Sequence, residues 1–239
     1  MTQTELTETK TDDGPILWVN TLFLSLSPFI AAALIPIYLW NQGSHWALWV
    51  AAIVLWWVAG LGITIGYHRL FAHRSYKGSK VWRFMALIAG ATALQNSAMV
   101  WSASHRRHHQ HTDHHGDPYD ATRGFWWAHM RWIFHDNELV DDLSNVPDLQ
   151  ADPLVRWQQN YYWLIALSLN IGVPLGLGLL IDRPWGMLLF AGLARIVFTH
   201  QATFCINSLC HILGTQPWSK NNTSRDSWIC ALITFGEGY

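Results

Sequence analysis

Charge is scarce in this chain. Lys, Arg, Asp and Glu make up 13% of its 239 residues, about half of the ~25% usual in soluble domains. The little charge present nearly cancels, at a formal net −1, so nothing argues for nucleic acid as a partner. Cysteine is equally sparse: Cys205, Cys210 and Cys230 form no CxxC pair. That weighs against a disulfide framework and an iron–sulfur pattern, and leaves buried free thiols. There is no internal repeat and no dinucleotide-binding fingerprint. Residues 1–14 are polar, without the basic n-region of a cleavable signal peptide, and read as a disordered tail. Residues 15–239 fit a single domain.

Apolar residues fill the space that charge leaves. They make up 51% of the chain, and 16 residues are Trp, a side chain that concentrates where a bilayer meets water. Crossing about 30 Å of hydrocarbon takes roughly 20 apolar residues as a helix. Residues 15–40, interrupted by Pro28 and Pro36, meet that length, as do 46–67, 161–181 and 185–204. The links at 41–45 and 182–184 are short, which predicts two helical hairpins. Residues 81–101 are apolar but broken by Arg83, Gln95 and Asn96, and periodicity leaves open whether they cross, re-enter or lie flat. Arg195, near the middle of the last span, is an expensive charge unless it faces a partner or a cavity. Ten Lys and Arg lie within 68–160, while the two opposite turns hold only Arg183. The positive-inside rule then puts this segment and both termini in the cytosol. The expected fold is an all-α membrane protein with about four transmembrane helices and a cytosolic, His-rich helical cap.

Histidine carries the chemistry. His105, His108 and His109 fall at i, i+3 and i+4, one face of a helix, so three imidazoles can converge where a transition metal would sit. A solvated basic patch built on Arg106 and Arg107 and binding lipid phosphate is the plainer reading of the same stretch. His68 and His73 are five apart, about 140° on an ideal helix. Either the helix distorts between them, or they reach toward different metals in a larger site. His211 follows the fourth span with Asn207 one turn before it, which adds a candidate ligand at the same membrane face. Asp113, Asp117, Asp120, His111, His114 and His115 read first as loop residues, with an outer role holding imidazole N–H groups as the alternative.

Three stretches resemble the membrane-bound fatty acyl desaturases, above all the stearoyl-CoA type that places a cis double bond at the ninth carbon. They are 62–76 (GITIGYHRLFAHRSY), 105–109 (HRRHH) and 207–211 (NSLCH), and the resemblance extends over about 62–239. It implies two irons, with O2 as co-substrate. By motif position His68, His73, His105, His108, His109 and His211 are similar to iron ligands, and Asn207 to a residue holding iron through water. Gln95, Trp101 and Thr203 resemble residues that shape the bend of the acyl tunnel. Ala103-Ser104 stands where a polar pair contacts coenzyme A in the animal enzymes, which leaves acyl-CoA, a lipid-linked chain and a carrier-bound chain open as substrates. Gly236-Glu237-Gly238-Tyr239 resembles the turn that leads the family into a third box, His-Asn-x-His-His. Six of nine family ligands are therefore present, and the reading frame is expected to continue into that box; a chain ending at Tyr239 would bind iron poorly. Electrons must come from outside, from a ferredoxin, a rubredoxin or a small haem protein with its reductase. A di-iron hydroxylase of alkanes or fatty acids is the nearest rival reading. A metal transporter is a rival of another class, but would put its ligands at the bilayer midplane.

Overall fold

The computed structural model describes residues 13–136, 142–217 and 220–238. Most of the expected tail, residues 1–12, lies outside them. Among the described residues, four helices are long and apolar enough to cross a membrane: α1 (Trp18–Gln42), α2 (Trp46–Ala72), α7 (Pro153–Leu180) and α8 (Pro184–His211). Between α2 and α7 come α3 (Lys80–Ala91), α4 (Ala98–His111) and the short α5 (Phe125–His129) and α6 (Pro147–Ala151); α9 (Trp228–Ile233) follows α8. The chain is an integral membrane protein.

Both hairpins are present, and their turns share one end of the bundle: Arg183 Nη1 donates to the Gln42 carbonyl at 2.6 Å. The start of α1 is tied to the other end, where the Leu17 amide donates to Phe134 O at 2.7 Å and Asp13 pairs with Arg123. The 123–134 part of the cap therefore lies on the side away from the hairpin turns.

Three spans outrun their apolar patterns on the cap side. α7 starts at Pro153 and bends at Tyr161 (φ −109°, ψ 15°); α8 continues to His211 and α2 to Ala72. The polar residues that end each pattern find partners inside the protein. Gln158, fully buried, donates to Tyr67 Oη at 2.6 Å and to Leu87 O at 2.7 Å. Hydropathy registers only the polarity, so it stops each span short.

The undecided segment 81–101 re-enters. α3 descends from the cap, the chain turns at 92–97, and α4 climbs back. Thr92 O accepts from Arg195 and Ala91 O from Asn170. Asn170 lies ten residues, about 15 Å, from the far end of α7, so the turn reaches the middle of the bundle. Backbone that is not helical survives at that depth only when protein groups satisfy it. Small residues let α3 lie close to α2: a Cβ on Gly62 would meet Gly90 N at 2.4 Å, and one on Gly90 would meet the Tyr67 ring at 2.1 Å. Close backbone approach of this kind is how helices associate where lipid supplies no hydrophobic drive.

Candidate metal centre and acyl cavity

The last turns of α2 are wound wider than an α-helix. Gly62–Ala72 is π-helical, and the His73 amide donates to His68 O, five residues back, at 2.9 Å. Winding with i→i+5 bonds brings residues five apart onto one face. His68 and His73 consequently lie with ring centroids 4.5 Å apart. Of the two options open in the sequence, the helix takes distortion.

α4 divides its histidines. His105 and His109 meet the α2 pair, with His105 centroids 4.6 Å from His68 and 5.0 Å from His73. One nitrogen from each of His68, His73, His105 and His109 lies within 4.8 Å of all the others. His108 lies between the cluster and the end of α8, its ring centroid 4.7 Å from Tyr119, 5.5 Å from His109 and 6.1 Å from His211. Adjacent side chains differ by about 100° around a helix, and of the three α4 imidazoles only His105 and His109 fall within the four-nitrogen cluster, with His108 beside it.

The first group has the form of a ligand set. His105 Nε2 lies 3.0 Å from both His73 Nε2 and His109 Nε2. A neutral imidazole nitrogen either gives its one N–H or accepts through its one lone pair, so hydrogen bonding alone does not explain one nitrogen in contact with two others. Nitrogens about 2.1 Å from a shared cation and at right angles to one another would stand about 3.0 Å apart. Protonation is disfavoured here. Burial, then the neighbouring imidazoles, holds His105 well below the ordinary histidine range and brings His109 down to about 4; burial and His68 lower His73. Near neutral pH their lone pairs are available to a metal.

Outer partners fix which nitrogen faces inward. His68 Nδ1 pairs with Glu237, itself 8% exposed. His108 Nδ1 bonds Asp117 Oδ1 at 2.8 Å. His211 Nδ1 bonds Thr223 Oγ1 at 2.7 Å, and Asp113 accepts from that hydroxyl at 2.9 Å. Each tether leaves Nε2 free. Burial would raise Asp117, but the hydrogen bond from His108 and the amides of Asp113 and Tyr119 hold its carboxyl below the usual range. Asp113 and Asp117 thus have the outer position rather than the plain loop role; exposed His114 and His115 remain loop residues. Nothing local in the sequence marks Glu237 for this part, because its motif has the form of a turn and His68 lies far from it along the chain.

Arg106 is no lipid-phosphate site. Its guanidinium donates to Phe71 O and Ala72 O, both at 2.9 Å, to Asn145 O at 3.1 Å, and to both Asp148 oxygens at 2.7 and 2.9 Å. Arg107 is buried, with Nη2 2.5 Å from Asp142 Oδ2. Arg106 therefore caps the C-terminal carbonyls of α2 from α4, locking the two His-bearing helices together.

A cavity of about 850 Å³ begins at these histidines and runs down between the spans; His68, His105, His108, His109, His211 and Asn207 line its top. Trp101, stacked on His105 at 4.7 Å, forms part of its wall. Deeper in the same cavity Gln95 Nε2 donates to Thr203 Oγ1 at 2.8 Å. The three residues expected at the tunnel bend thus all line one space.

The profile of the family described as "Fatty acid desaturase" matches residues 44–239. The chain is 41% identical over 197 residues to "Acyl-CoA desaturase 1" of Saccharomyces cerevisiae, covering 82% of this chain and 39% of that protein. It is 35% identical over 227 residues to the "sn-1 stearoyl-lipid 9-desaturase" of Anabaena variabilis, covering 94% and 79%, and 35% identical over 199 residues to "Delta-9 acyl-lipid desaturase 1" of Arabidopsis thaliana, covering 81% and 63%. It spans about two fifths of the length of the yeast relatives it matches. A deep apolar cavity ending at clustered imidazoles and a profile match over most of the chain lead to one assignment: this chain belongs to the fatty acid desaturase family.

Proposed function

We propose that the protein is an oxygen-dependent fatty acyl desaturase that inserts a cis double bond at the ninth carbon of a saturated chain. One observation supports this most directly: a single apolar cavity joins the Gln95–Thr203 contact to both groups of histidines. His68, His73, His105 and His109 would hold one iron; His108 and His211, with Asn207 through water, would hold a second. Iron there supplies the oxygen-derived oxidising power that an unactivated methylene demands and acid–base side chains lack. The rest is the work of the chain. Glu237, Asp117 and Thr223 orient the imidazoles, the walls exclude water, and Gln95 with Thr203 bends the acyl chain so that one methylene faces the centre.

The acyl group arrives on coenzyme A or on a lipid; relatives named for each kind are similar to this chain. Electrons come from a ferredoxin, a rubredoxin or a small haem protein with its reductase. The excess of Lys and Arg on the cap side supports a cytosolic cap, where an acidic carrier would dock. Expression of the completed reading frame in a desaturase-deficient host, followed by gas chromatography of its fatty acids, tests the reaction. A new cis-alkene is expected. A hydroxylated chain in its place would assign the protein to the hydroxylases, and metal uptake without oxygen consumption would assign it to transport.

A smaller change probes the second group. Asp117→Asn leaves the shape at His108 but removes the carboxylate that orients its ring. Metal affinity should fall roughly 10–100-fold, measured as iron retained against a graded chelator. Unchanged retention would mean that His108 does not bind metal.

A further inference from the structure

Arg195 carries its charge to the middle of a span, and its guanidinium is spent on a turn. Nη1 donates to Thr92 O at 2.5 Å, Nη2 to Asn170 Oδ1 at 2.6 Å and Nε to Ala191 O at 3.0 Å. Asn170 also reaches Ala91 O at 3.3 Å. His200 Nε2 lies 3.0 Å from Ala93 O and 3.2 Å from Leu94 O, so it carries the ring proton. Four consecutive carbonyls, 91 to 94, are thus each held by a side chain of α7 or α8. Arg195, Asn170 and His200 are all buried.

The turn so held is unusual. Leu94 (φ 55°) and Asn96 (φ 75°) are both left-handed, a region that a branched side chain such as leucine avoids. Conformations of this kind persist where the surroundings over-determine them. Between the two stands Gln95, whose amide crosses to Thr203 inside the cavity. Satisfying buried carbonyls does not by itself call for an arginine, since a neutral amide donates without the expense of a charge in the bilayer. What arginine adds is a rigid fork that sets two acceptors at a fixed separation.

We propose that Arg195, together with Asn170 and His200, is a positioning device. It holds the 92–96 turn so that Gln95 sets the register of the acyl chain, and with it which methylene faces the histidines. The inference rests on the desaturase reading above. A displacement of about 1 Å is enough to change the rate at one carbon by roughly 10²-fold, so a loosened turn should spread reaction over neighbouring carbons.

The test uses the iron-loaded protein in lipid nanodiscs, as wild type, Arg195→Gln and Asn170→Leu. Mass spectrometry of dimethyl disulfide adducts reads the double-bond position, and hydrogen exchange reads the turn. Wild type should give one positional isomer. In each variant, at least about a tenth of the product should move to adjacent carbons, and amides 92–97 should exchange at least about tenfold faster, with iron content unchanged. A merely structural role would lower yield without moving the isomer ratio. Folded, iron-loaded variants with the wild-type ratio, however slow, would overturn the proposal. Should Arg195→Gln fail to accumulate, Asn170→Leu decides, because it keeps the arginine and the His200 contacts. Wild type that forms no alkene would defeat the desaturase reading instead, and unchanged exchange at 92–97 would then overturn the clamp on its own.

Discussion

His105→Ala should all but abolish alkene formation and empty the first histidine group of metal. His105 is the hub of that group, its Nε2 3.0 Å from the Nε2 atoms of both His73 and His109, and its ring supports the Trp101 wall. Loss of a partner that only orients a ligand commands about 10–100-fold in affinity, and loss of the ligand itself should exceed that range. Iron per protein by mass spectrometry and fatty acid profiling of the same sample check it together. His115→Ala is the control, an exposed loop imidazole whose removal should leave iron and product unchanged. A His105→Ala protein that kept full iron and activity would remove this histidine from the centre.

Arg106→Ala should give the largest loss of stability. The side chain is 17% exposed and Asp148 29%, and the mutation leaves that carboxylate with only Arg74, 3.7 Å away, and the carbonyls of Phe71, Ala72 and Asn145 without this donor. Breaking a buried pair costs about 3–5 kcal/mol; with Asp148 partly solvated the lower end, about 3 kcal/mol, applies. Hydrogen bonding to Arg106 holds the Asp148 carboxyl below its usual range, so the pairing contributes stability above the ordinary carboxylate pKa. That contribution fades as pH falls through the lowered value in the folded state. Because Arg106 joins the end of α2 to α4, the variant should also bind iron weakly: His68 and His73 lose their fixed relation to His105 and His109. Arg106→Lys should recover only part of both, since an ammonium cannot span the carboxylate and the three carbonyls at once. Arg106→Ala that melts like wild type and holds full iron would show that the helices align without it.

Chain order alone made four spans and two hairpins legible. Hydropathy is a local sum, and bilayer thickness turns that sum into a length. The spacing of the His motifs was legible for the same reason: residues three, four and five apart are neighbours whatever the rest of the chain does. Where neighbours are set by distant partners, that legibility ended. The outer carboxylate of His68 comes from Glu237 at the other end of the chain, and the carbonyls that explain Arg195 belong to a turn about a hundred residues earlier. Asp117 was in view beside the second box, yet nothing local separates a carboxylate that holds an imidazole from one that faces water.

What the sequence determined by itself, then, is that the chain lies in a membrane as helical hairpins with imidazoles gathered at one end. How those imidazoles are shared was decided by tertiary structure. α3 packs tightly against α2 where π-helical winding puts His68 and His73 on one face, and the Arg106 cap sets α4 beside them, so that His105 and His109 join that pair while His108 lies between His109 and His211. An ideal helix forbids the first arrangement and is neutral about the second. Only a shift of backbone hydrogen bonds from i+4 to i+5, beside the tight α3 packing and the Glu237 tether, makes one cluster out of residues whose spacing alone would have kept them apart.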